Sequence, residues 1–96
     1  MRMMVRVKVP VEAGNTAIQG NKMGTLIRDW MDRFKPEGAY FLSEAGERCA
    51  LFFVDLEGTW QIPLMAEPLF NELKASIEFI PVMNADELGR GLSQLP

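Results

Sequence analysis

The chain has no histidine and one cysteine, Cys49, in 96 residues. Without an imidazole it lacks the usual general base near neutral pH and the commonest nitrogen ligand for metals. Ser–His and Cys–His nucleophile pairs are excluded with it. A single cysteine permits no internal disulfide. Cationic surplus is missing too: Lys and Arg number 10 against 13 Asp and Glu, a net charge of −3. Phosphate binding normally rests on an excess of positive charge, so nucleic acid is not an expected partner. Apolar runs are short, Ala50–Val54 among the longest, against the roughly 20 residues that cross a bilayer. Arg6 and Lys8 interrupt what would have to be the apolar core of a signal peptide. A cytoplasmic location without membrane contact is therefore expected. No HExxH, CxxC, GxxxxGK or GxGxxG pattern occurs, so neither a metal site nor a cofactor is expected.

What is present is an ordinary globular composition, 48% apolar and 24% charged, enough for one domain over residues 1–96. The first eleven residues alternate strictly. Met1, Met3, Val5, Val7, Val9 and Val11 fall on one side of an extended chain, and Arg2, Met4, Arg6, Lys8 and Pro10 on the other. Alternation of period two is the mark of a strand with one apolar face. Its second face carries three cations, which must reach solvent, carboxylates or a ligand, since burying an unpaired charge is too costly.

Glu12–Asn15 reads as a turn out of this strand. Met23, Leu26, Ile27, Trp30, Met31 and Phe34 then recur at helical spacing, with the regular helix beginning near Asn21 and Pro36 stopping it. Gly38–Ser43 and Cys49–Leu56 are aromatic and branched enough for strands, joined by the polar hairpin Glu44–Arg48. A second helical stretch opens at Gly58–Thr59. Pro68 lies inside it and predicts a break near Glu67, because proline cannot donate to the Leu64 carbonyl and crowds that turn. Ser76–Met83 is a last strand, placed at an edge by Pro81. Asn84 and Glu87 form a capping-box start for a short terminal helix.

The order β-α-β-β-α-β with a helical tail is the ferredoxin-like α+β pattern, an antiparallel four-stranded sheet with the first strand between the third and fourth. Helices cover one face of such a sheet. The third strand is apolar on both of its alternating sets, Ala50, Phe52, Val54, Leu56 and Cys49, Leu51, Phe53, Asp55. That pattern asks for a layer over the open face as well, which a homodimer packing sheet on sheet would supply. Arg6, Asp55 and Glu78 would form a charge cluster on that face, so losing Arg6 should weaken the dimer far more than losing Arg2.

The segments VPVEAGN, KPEGAYF, QIPLMAEPLF and SIEFIPVM resemble a family of short, functionally uncharacterised bacterial proteins of the dimeric α/β-barrel group. The resemblance implies protomers that pair their sheets into a barrel, with a pocket commonly lying between sheet and helices. The group includes cofactor-independent monooxygenases and isomerases alongside haem-degrading enzymes, so the fold alone assigns no reaction. Tyr40, Trp60, Leu64 and Glu67 are the candidates to line such a pocket, for an apolar or aromatic small molecule. No catalytic residue is assigned. The leading reading is a small-molecule-binding homodimer, with a non-catalytic structural or regulatory dimerisation module and a cofactor-independent monooxygenase- or isomerase-like enzyme as the alternatives. A cavity lined by Tyr40 and Trp60 would favour a ligand, whereas a fully packed helix–sheet interface would favour the module.

Overall fold

Eight valine-rich residues, Arg2–Val9, form the central strand β1, and Met3, Val5, Val7 and Val9 are all buried in the computed structural model, which describes residues 1–96. The chain continues through α1 (Val11–Gln19), α2 (Met23–Phe34), β2 (Gly38–Glu44), β3 (Glu47–Asp55), α3 (Gln61–Leu73), β4 (Ser76–Pro81) and α4 (Ala85–Leu92). The four strands make one antiparallel sheet in the order β2-β3-β1-β4. This is the βαββαβ layout with the first strand inside and the Pro81 strand at an edge.

The segment read as strand end and turn is instead the helix α1. Pro10, at φ −56°, ends the strand, and its carbonyl accepts the Gly14 amide at 2.9 Å. Gly14 suits the site because a Cβ there would lie 2.5 Å from the Arg48 guanidinium. Arg48 crosses the helix and donates to Asn15 Oδ1 at 3.0 Å. The expected five-residue hairpin is tighter than its composition suggested. Ala45 and Gly46, at φ 52° and 80°, make a two-residue turn between β2 and β3. Both residues adopt the positive φ that a primed hairpin turn requires.

Helix α3 runs unbroken through Pro68, contrary to the expected break. Pro68 still removes one hydrogen bond, but Met65, Ala66, Leu69 and Leu73 anchor the helix to the core on both sides of it. The Trp30 indole donates to the Met65 carbonyl at 2.9 Å, tying the turn beside the proline to α2. Tertiary packing here outweighs a local cost of about 3 kcal/mol. Trp30 itself stacks on Phe52, with ring centroids 4.5 Å apart. Val5, Val7, Phe52, Val54, Met65, Leu69 and Leu73 are the largest side chains with almost no exposure, and together they fill the space between sheet and helices.

Helix α4 starts as its sequence indicated. The Asn84 side chain accepts from the Glu87 amide and Glu87 reaches back to the Asn84 amide.

Candidate functional site: the open sheet face

Directly paired residues of an antiparallel sheet share a face. The register sets Arg6 opposite Leu51 on β3 and Glu78 on β4, and Leu51 opposite Tyr40 on β2. The face turned away from the core therefore carries Arg2, Met4, Arg6 and Lys8 from β1. Beside them stand Cys49, Leu51, Phe53 and Asp55 from β3, Tyr40, Leu42 and Glu44 from β2, and Glu78 and Ile80 from β4.

Its cations are paired in a row. Arg6 donates to Glu44 in a short contact and faces Glu78 at 3.5 Å. Lys8 lies 3.7 Å from Glu47. Arg2 holds Glu37 at 2.9 Å and also Glu87 at the start of α4. To reach Glu44 on β2, the Arg6 side chain must cross β3 on the side of Cys49, whose thiol is buried. Arg6 Nε is buried without a hydrogen bond of its own, aimed at the Glu78 carboxylate. The bond from Arg6 holds the Glu44 carboxyl below the usual carboxylate range. Burial pushes the Cys49 thiol up, so a thiolate nucleophile is disfavoured there.

The three residues expected to cluster are divided by the register. Glu78 stands opposite Arg6, whereas Asp55 stands opposite Arg2, at the far end of the strand. Asp55 accepts from the Met1 ammonium at 2.9 Å, which lowers its pKa. The carboxylate that completes the Arg6 group is Glu44. Ending the second strand at Ser43 hid it, although Glu44 keeps the parity of Tyr40 and Leu42.

Tyr40, Trp60, Leu64 and Glu67 do not come together. Tyr40 sits on the open face and is 65% exposed. The other three belong to α3 or its N-cap, on the opposite side of the sheet, and all three are exposed. Between α3 and the sheet the side chains are packed, and the clefts lie elsewhere. One of about 450 Å³ opens between α1 and the end of α3, rimmed by Glu12, Lys22, Glu72 and Lys74. Another of about 460 Å³ is a shallow groove along α2, walled by Ile27, Met31 and Phe41. No group of three or more thiol or carboxylate side chains is arranged to hold a metal ion. No helix is long and apolar enough to cross a membrane.

In comparisons with family models, curated proteins and solved structures, nothing matches this chain. The α+β class and strand order rest on the geometry itself.

Proposed function

We propose that the chain works as a homodimer, two copies pairing open face to open face in the manner of dimeric α/β barrels, as a non-catalytic structural or regulatory module. The observation that carries this reading is β3. Its inner set is buried by the helices, while Leu51 and Phe53 stay partly exposed on a face where the charges are already paired. A face of paired charges and apolar side chains offers a surface for self-association, and an isologous contact places the same patch on both copies. The packed helix–sheet interface puts this reading ahead of a ligand pocket in that layer. Native mass spectrometry of protein purified from its own host is the test. A dimer mass without additional mass supports the reading. A monomer mass overturns it, and a retained small molecule returns the ligand-binding alternative to the front.

A further inference from the structure

Resting on that homodimer, we infer that α4 is an arm that docks on the second copy and completes the interface. The molecule is longer than its sequence length requires. Its radius of gyration is 15.3 Å and its extents are 55 × 28 × 17 Å, where a rounded domain of this size has a radius near 13 Å. No residue of α4 is buried, yet Leu88 and Leu92 stand four residues apart on one side of it and are 47% and 56% exposed, with Leu95 just past its end 66% exposed. Asp86, Glu87 and Arg90 take other sides of the helix. An amphipathic helix with its apolar stripe in water lacks a partner, since such stripes normally face a core.

Two observations point to a second copy as that partner. The first is attachment. Glu87 in the first turn of α4 is bound by Arg2, whose side chain belongs to the open face. The arm is thereby continuous with the surface that a second copy would cover, and separate from the helical layer. The second is area. A stable interface takes about 800 Å² of accessible surface from each partner. In an isologous contact each copy buries both its own arm and the patch the other arm touches, so a helix about 12 Å long adds to the sheet face twice.

The experiment uses the full chain. A sample is prepared from equal parts of methyl-labelled and unlabelled copies, and isotope-filtered NMR reads contacts between them. Contacts from the Leu88 and Leu92 methyls to protons of the unlabelled copy are expected. Only intramolecular contacts, or none, would overturn the arm. The paired variant L88E/L92E gives a second reading, because these positions are exposed and the fold does not rest on them. Its dimer dissociation constant should rise 100-fold or more with the circular dichroism unchanged. A variant that dimerises like the wild type also overturns the arm while leaving the homodimer standing. A wild type that sediments as a monomer removes the homodimer itself.

Discussion

Phe52 and Leu51 are neighbours in the chain and live in different surroundings. Phe52 has no exposed surface, lies against Trp30 and belongs to the core under the helices. Leu51 points to the other side of the same strand, pairs with Arg6 and Tyr40, and keeps part of its surface in solvent. One face of the sheet is finished within the single chain, chiefly by apolar contact. The other is finished electrostatically but left apolar and open. The first face holds the monomer together, and the second is the place where function has to be sought.

The largest expected effect breaks the inner face. Phe52→Ala should destabilise the chain by about 3–5 kcal/mol through the cavity it leaves, read from denaturant unfolding. Leu51→Ala should barely move that transition under dilute conditions and should weaken self-association instead. Equal effects of the two on the unfolding midpoint would abolish the distinction between the faces.

Next in size is Trp30→Phe, which keeps a ring against Phe52 and deletes the indole donor to the Met65 carbonyl. A loss of about 0.5–1.5 kcal/mol is expected, the net worth of one hydrogen bond, because the Met65 carbonyl keeps its place in the α3 ladder. If the same variant is as stable as wild type, the indole bond is not what supports α3 beside Pro68.

The open face should instead respond to pH. Glu44 is held below the usual carboxylate range by its bond from Arg6, and Glu87 by the Asn84 amide and then Arg2. A depressed carboxyl contributes stability that is present above its unfolded pKa of about 4.3 and is lost as pH falls through the folded value. Melting temperature should therefore fall as pH drops from 5 to 3, and Glu44→Gln should flatten part of that slope. An unchanged slope in that variant would mean the Arg6 pair is solvated and idle.

The smallest expected effect concerns the turn that fixes the register of β2 on β3. Ala45 sits at φ 52°, a conformation that asparagine tolerates better than alanine. Ala45→Asn should raise stability by less than about 1 kcal/mol, detectable as a small shift in thermal midpoint.

The alternation Met3-Val5-Val7-Val9 makes the central strand and its buried face legible in the sequence, and Pro81 marks the edge. The open face was legible as a place but not as a pairing. The register of β1 against β3 and β4, two pairings between strands distant in the chain, decides which positions lie opposite Arg2 and Arg6. Asp55 went to the strand end for that reason, and Glu44 was hidden by one residue of strand length. Helix α1 was missed because Gly14 and Asn15 are turn formers locally, and the Arg48 side chain that holds them arrives from another strand. Pro68 obeys its local rule and is overruled by Met65, Leu69 and Trp30, contacts that no window along the chain contains. Tyr40 and Trp60 illustrate the same limit, since aromatic character alone does not say on which side of a sheet a residue stands.

The claim that the open face is an interface is tested most directly by sedimentation equilibrium across a dilution series. The account predicts a mass near twice 10.8 kDa at micromolar concentration, declining toward the monomer on dilution. A constant mass of 10.8 kDa at the highest concentrations reached would contradict it.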